Sequence, residues 1–512
     1  MVLEIDGEQL QIPDVIAVAR GGQRVVLSGA ARQRMARSYE WVRAAAHSDQ
    51  PVYGVNTGFG SLARVRIPPS QSAQLSMNLM RSHAAGVGPP LGLAATRATM
   101  LLRANALAKG VSGCRPLLVD TILEMLNRGV TPVLPQQGSC GSSGDLAPLA
   151  HLGLVMAAGD HGRAVYDGAE VSAEEAMSAA GIARLSLEAK DGLAITNGAQ
   201  VTTALAALCC HDSDQLVRAA EVAAAMSTEA LRGVSRAFNA AVHALRPYRG
   251  AIACASNLRI LLDGSELIDS LPEKVQDAYS IRCTPQVLGA CRDTLRFSWQ
   301  QVSVELNAAT DNPLILVDEP GENKAYSAGM FHGEPVGIAM DVLKIAVAEV
   351  ASLSERRLYR LSTGTLSHRL PPGLAKRDRP ELGLLLPQTT AAALVSENKA
   401  LSFPASVDSI PTCEDQEDHV AMSTTAARRA AEVVANSRRV VAIELLGAAA
   451  ALSFRQQEAP EAALGAGARV VLPRVQAVTA ALRTPSEQIE ALAVKIADGS
   501  LMAGLPPLEG VR

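Results

Sequence analysis

Aromatic residues are scarce: six Phe, seven Tyr and two Trp make up 3% of the 512 residues. A core of this size cannot rest on stacked rings and must be built from smaller apolar side chains. An excess of basic charge is missing too. Forty-seven Lys and Arg face 51 Asp and Glu, for a formal net charge of −4, so the electrostatic footprint of a nucleic-acid partner is absent. No apolar run reaches the ~20 residues that a membrane span needs. The opening "MVLEIDGEQLQIPDV" has no basic segment followed by an apolar one, so it does not read as a secretory signal. Eight cysteines occur, but none forms a CxxC pair and Cys209 and Cys210 are adjacent. Reduced thiols in a cytoplasmic protein are therefore expected. The histidines are dispersed without ligand spacing, so no metal is expected.

Hydrophobic residues still make up 48% of the chain. With so few aromatics they are mostly Ala, Leu and Val. Ala and Leu are strong helix formers, which predicts a mainly α protein packed through small side chains. The length allows two or more domains. "LEIDGEQLQI" and "RVVLSG" alternate like short strands, and helical signals dominate from about Ala30. The Asn197-Gly198 step in "DGLAITNGAQ" marks a turn and suggests a small mixed N-terminal domain over 1–200, with a long-helix bundle domain over 201–512. Leu343, Val347, Val350, Leu353 or Ser354, Leu358 and Leu361 recur on one helical face, and Thr424 to Leu452 is alanine-rich with few breakers. Helices this poor in large side chains pack closely, in a bundle or at an oligomer interface.

The stretch "GSCGSSGDLAPLAH", Gly138 to His151, packs three glycines and three serines into seven residues and then turns apolar. It has no lysine and so is not a phosphate loop. Its Gly141-Ser142-Ser143-Gly144 frame does not fit a nucleophile elbow. Cys140 is either a reactive thiol or a space-filler. From these residues alone, a plain structural turn remains open.

The pattern GSxGxSGDLAPLAH resembles the signature of the histidine, phenylalanine and tyrosine ammonia-lyase family. The likeness continues through "YGVNTGFG" (Tyr53–Gly60), "RSHAAGVG" (Arg81–Gly88), "QDAYSIRCTPQVLGA" (Gln276–Ala290), "ELNAATDNPL" (Glu305–Leu314) and "QEDHVAM" (Gln416–Met422). In that family an Ala-Ser-Gly tripeptide cyclises into the electrophile 4-methylidene-imidazol-5-one (MIO). The resemblance therefore implies autocatalytic MIO from Ser142, Ser143 and Gly144, with no dissociable cofactor. Ser142 stands where alanine is usual. Because its side chain is not consumed in the ring, a serine is chemically permitted. Gly144 lacks the Cβ that would obstruct attack of its nitrogen on the residue 142 carbonyl. Ser143 then loses its hydroxyl as water, and the N-terminus of the helix that follows sharpens the electrophile.

The same resemblance implies an ammonia-lyase-like fold and a homotetramer whose long C-terminal helices form a central bundle, with each site built from three subunits. It also assigns roles. Tyr53 matches the base that removes the β-proton, and a phenol needs cationic or hydrogen-bonding neighbours to ionise near neutrality. Arg282 matches the substrate carboxylate clamp. Asn197 and Tyr279 support the ring and the second side of the site, and Gln276, Phe331 and Gln416 border the substrate. The bland alternatives are a buried tyrosine with a satisfied hydroxyl, an interhelical ion pair for Arg282, a cap or turn residue for Asn197, and core or surface roles for Tyr279 and Gln276.

For the substrate, Ser82-His83 resembles the histidine lyases, where His83 would hydrogen-bond an imidazole; a satisfied core histidine is the alternative. Glu417 agrees, since a carboxylate favours a ring that can donate a hydrogen bond, although a salt bridge to a later arginine would also account for it. The implied reaction is deamination of L-histidine to trans-urocanate and ammonia. Met330, Phe403, Cys413, Glu414 and Asp415 depart from the histidine enzymes. A related amino acid, a 2,3-aminomutase and a non-catalytic helical oligomer thus remain as alternatives.

Overall fold

The computed structural model describes residues 2–58, 60, 64–159, 161–376, 380 and 382–511. Phe59, within the "YGVNTGFG" stretch, lies outside the described residues. Helices dominate, as the composition predicts. The chain divides into two compact units, one of 1–208, 299–341 and 404–428, the other of 209–298, 342–403 and 429–511. Four of the five boundaries fall inside long helices, Gln200–Ala230, Thr284–Glu305, Glu334–Ser362 and Ser423–Glu458, and the fifth follows the helix Leu385–Leu401.

Every described strand belongs to the first unit, and each is two to four residues long. Leu3–Ile5 pairs in parallel with Val25–Leu27, where strands were expected. The rest of "LEIDGEQLQI" is not strand. The chain turns at Gly7 and enters the helix Ile12–Ala19, with Pro13 in its first turn and the Asp14 carboxylate accepting the Gln11 N–H at 2.9 Å. Antiparallel pairs join Val87–Pro90 to Pro135–Gln137 and Leu314–Ile315 to Ala325–Tyr326, and three strands from Thr131 to Ser172 form a small meander.

Two features of this unit position the site. The helix Leu146–Met156 starts directly after the serine-rich loop, with Asp145 at its N-cap and Pro148 in the tolerant first turn. The Asn197-Gly198 step breaks the chain between the short helix Asp191–Thr196 and the long helix from Gln200, as the turn signal predicts.

The described part of the second unit is helix and loop without strand. The predicted face is buried throughout: Leu343, Val347, Val350, Ser354, Leu358 and Leu361 are each at most 2% exposed. Close packing is also evident. The helices of Gly250 and Gly289 approach so tightly that a Cβ on Gly250 would lie 2.1 Å from the Gly289 carbonyl oxygen. Among the described residues no helix is long and apolar enough to cross a membrane, and all eight cysteines are free thiols.

Candidate active site

The serine-rich loop is bent by its own sequence. Ser143 sits at φ 55° and Gly144 at φ 73°, the left-handed region that costs a side chain energy and a glycine little. Gly144 bridges Gly198 backbone to backbone, and the Asp145 N–H donates to the Gly198 carbonyl at 2.8 Å. A Cβ on Gly144 would lie 2.3 Å from the Gly198 carbonyl carbon, so no larger residue fits.

Asp145 holds the loop from below. It is fully buried and accepts from Ser139 Oγ at 2.7 Å, Thr424 Oγ1 at 2.7 Å, Thr202 Oγ1 at 3.0 Å and the Thr202 N–H at 2.8 Å. Burial pushes its carboxyl up, and these donors pull it back. Ser142, also buried, accepts the Ala421 N–H on its hydroxyl at 2.8 Å. Serine at this position therefore adds a tie that alanine could not make.

A cavity of about 290 Å³ opens above the loop. It is lined by Tyr53, Gly60, Ser143, Leu193, Asn197, Asn312, Ser327, Phe331, Cys413, Gln416 and Glu417. Six residues expected from the sequence thus meet in one place: Tyr53, Ser143, Asn197, Phe331, Gln416 and Glu417. The Ser143 hydroxyl donates to Glu417 Oε1, and the Thr412 hydroxyl donates to Oε2 at 2.6 Å. Asn197 Nδ2 donates to the Ser143 carbonyl at 2.8 Å, while its own Oδ1 is buried without a partner among the described residues. The fully buried Arg103 fixes Asn197 from behind by donating to its carbonyl at 2.6 Å and to Gln200 Oε1 at 2.8 Å.

The Tyr53 hydroxyl accepts the Gly60 N–H at 3.1 Å. Burial raises its pKa most; the Gly60 amide pulls it down, and Glu417 and Cys413 push it further up. Of the two kinds of neighbour that favour an ionised phenol, the hydrogen-bond donor is among these influences and a cation is not. Ser82 and His83 do not line the cavity but stand near it. His83 Nδ1 lies 2.8 Å from Ser82 Oγ. Burial depresses the imidazole's pKa, while the Leu79 carbonyl and the Glu417 carboxylate raise it.

Gln276, Tyr279 and Arg282 belong to the second unit. Tyr279 is 71% exposed, with the Arg282 guanidinium 4.8 Å above its ring, and Arg282 Nε donates to the Asp277 carbonyl at 3.0 Å. Of the positions that depart from the histidine enzymes, Cys413 lines the cavity. Met330, Phe403 and Asp415 are exposed and are not among its described lining residues.

Sequence reasoning missed Arg103, Asn312 and Ser327. Asn312 sits in a stretch already singled out, "ELNAATDNPL", but nothing in its type marked it as cavity-facing. The expectation of dispersed histidines is corrected at one point. His332, Glu334 and His419 each offer a ligand atom, and these atoms lie within 4.8 Å of one another. The grouping joins positions 85 residues apart, which linear spacing cannot reveal.

The aromatic amino acid lyase family model matches residues 10–483. A histidine ammonia-lyase of Caldanaerobacter subterraneus is 49% identical over 453 residues, 88% of each chain. Among solved structures, a histidine ammonia-lyase from Trypanosoma cruzi superposes with a TM-score of 0.89 at 37% identity, covering 98% of this chain and 94% of that one. A tyrosine aminomutase from Streptomyces globisporus superposes with a TM-score of 0.91 at 33% identity, covering 98% of both. A bent Ser-Ser-Gly loop under a cavity walled by tyrosine, asparagine and glutamate is thus carried on a fold shared with these enzymes along nearly its whole length, and the chain belongs to the aromatic amino acid lyase family.

Proposed function

We propose that the chain removes ammonia from L-histidine to give trans-urocanate, using an MIO group formed from Ser142, Ser143 and Gly144. The residues present fit that group. Gly144 occupies a position where a side chain would collide, Ser143 is already bent towards its neighbours, and Asn197 grips the Ser143 carbonyl while offering a buried, unpartnered oxygen. Once formed, the group supplies an electrophile that takes up the substrate amine.

The observation that carries the substrate assignment is Glu417. Its Oε1 accepts from the Ser143 hydroxyl, the hydroxyl that ring formation eliminates. Its loss frees a carboxylate oxygen, facing the cavity, to accept an imidazole N–H. A benzene ring offers no such donor. Thr412 holds the other oxygen and fixes the carboxylate's direction. Tyr53 faces the same cavity and takes the β-proton, a contribution of about 10²–10⁴ in rate. Gln416 and Phe331 flank the substrate, and His83, which feels the Glu417 charge, is held in turn by Ser82.

Beside the Gly60 N–H, a cation would bring the Tyr53 phenol down towards neutral pH. Arg282, with Gln276 and Tyr279, supplies it from a neighbouring copy in a homotetramer, and the guanidinium also clamps the substrate carboxylate. On this reading 1–200 is the ring-bearing domain, 201–512 is the helical and oligomerisation domain, and the enzyme is cytoplasmic and needs no dissociable cofactor. Co-expressing Tyr53→Phe and Arg282→Ala chains tests the assembly. Mixed tetramers should regain activity that neither variant shows alone, whereas sites complete within one chain would give no recovery.

Proton NMR of the purified enzyme with L-histidine tests the reaction. Vinylic urocanate signals are expected, from a chain lighter than its encoded residues by the two waters lost in ring formation. β-Histidine would instead identify a 2,3-aminomutase, the reading favoured by the likeness to the tyrosine aminomutase fold. Unchanged histidine with an unmodified mass would refute both.

A further inference from the structure

We infer that His332, Glu334 and His419 form a binding site for a divalent transition-metal cation of the zinc type, separate from the amino acid cavity. Two imidazoles and one carboxylate are a donor set that suits Zn²⁺ and leaves a fourth position open. Magnesium and calcium prefer oxygen ligands throughout and are poorly served.

Three observations support the assignment. The three ligand atoms already lie within 4.8 Å of one another. Glu334 Oε2 is buried and has no hydrogen-bond partner among the described residues, a costly state for a carboxylate oxygen unless a cation completes it. His332 Nε2 lies 3.2 Å from the His419 carbonyl oxygen. A carbonyl only accepts, so Nε2 carries the proton and Nδ1 is left with its lone pair free. Metal-bound histidines are oriented by the same kind of bond from the ring nitrogen that faces away.

Bonds of about 2.0–2.1 Å place tetrahedral ligand atoms about 3.4 Å apart, so the site must contract on binding. His419 is exposed, and its ring, 5.9 Å from that of His332 and tilted 33° to it, has room to move. Glu334 opens the helix Glu334–Ser362. The positive end of that helix opposes a cation, and the carboxylate in its first turn offsets the effect.

Position gives the site its use. The Gly333 N–H donates to the Gly141 carbonyl at 2.9 Å, and the Ala421 N–H donates to Ser142 Oγ at 2.8 Å. Each ligand-bearing segment therefore grips the serine-rich loop, the second also through the Ser143–Glu417 bond, and each carries a cavity wall, Phe331 in one and Gln416 and Glu417 in the other. A cation would fasten the two segments to each other across the loop.

The test uses full-length, untagged protein, stripped with EDTA, dialysed and titrated with Zn²⁺, and with Co²⁺ for its visible absorption. One ion per chain should bind and raise Tm. His419→Gln and Glu334→Gln should each weaken binding at least about tenfold, since even outer-shell partners of metal ligands contribute about 10–100-fold. His419→Gln alters an exposed side chain and keeps the test valid should Glu334→Gln fail to fold. Cys413→Ser should bind as the parent does. Equal binding by parent and His419→Gln, or loss confined to Cys413→Ser, would overturn the site and leave an adventitious ion only.

Discussion

Two glutamates show how differently this chain uses a sheltered carboxylate. Glu444, in the second unit, is fully buried. Both of its oxygens face the Arg357 guanidinium, and Ser227 and Ser354 add hydroxyls at 2.7 and 2.6 Å. Glu417, in the first unit, is only half-buried and is held by two hydroxyls, those of Ser143 and Thr412. A carboxylate locked to a guanidinium has its charge spent on holding helices together. One held by hydroxyls keeps its charge available to whatever enters the cavity. Paired charge marks structure here, and hydroxyl-bound charge facing a cavity marks chemistry.

The comparison breaks if cavity substitutions act through folding. The largest effect is expected at Tyr53: Tyr53→Phe should lower kcat by about 10²–10⁴-fold with Tm nearly unchanged, as steady-state kinetics and calorimetry will show. Because burial raises the phenol's pKa, the parent's rate should climb with pH on the alkaline side, and the variant should lose that limb.

The two glutamates come next. Glu444→Gln strands Arg357 in the core and should cost about 3–5 kcal/mol, read from denaturant unfolding. Glu417→Gln should cost about 1 kcal/mol or less in stability yet lower kcat/KM for histidine about 10–100-fold. Reversed outcomes would mean that the pairing pattern does not separate the roles.

The smallest effect refines the comparison at a third glutamate. Glu305 is pushed up to about 7 by burial and by the Asp145 carboxylate. Its folded form therefore holds a proton that the unfolded chain releases near ~4.3, so this group's contribution to stability falls as pH rises from there to about 7. Glu305→Gln should raise Tm more at pH 8 than at pH 5. Equal shifts at both would show that Glu305 is not the titrating group.

Much of this was legible in the sequence because the signals were local. The face of Leu343, Val347 and Val350 is a period read over a few turns, and the Asn197-Gly198 break is a property of two adjacent residues. The convergence of Tyr53, Ser143, Asn197 and Glu417 was legible only through the family's ordered motifs, since composition says nothing about residues hundreds of positions apart. Arg103 stayed hidden because an arginine in an alanine-rich helix reads as a surface charge. What marks it is a carbonyl and an amide 94 and 97 residues away. His332 and His419 stayed hidden for the same reason. The choice between Leu353 and Ser354 was settled by a partner, because Ser354 is the residue that reaches Glu444.

Ser142 carries one more consequence. Its hydroxyl takes the Ala421 N–H, although the proposed ring chemistry makes no use of that oxygen. A descendant with alanine there would keep every atom the ring requires and lose a tether to the segment that presents Glu417. Drift at this letter would then surface as slackness in the scaffold and altered selectivity, with the prosthetic group still intact.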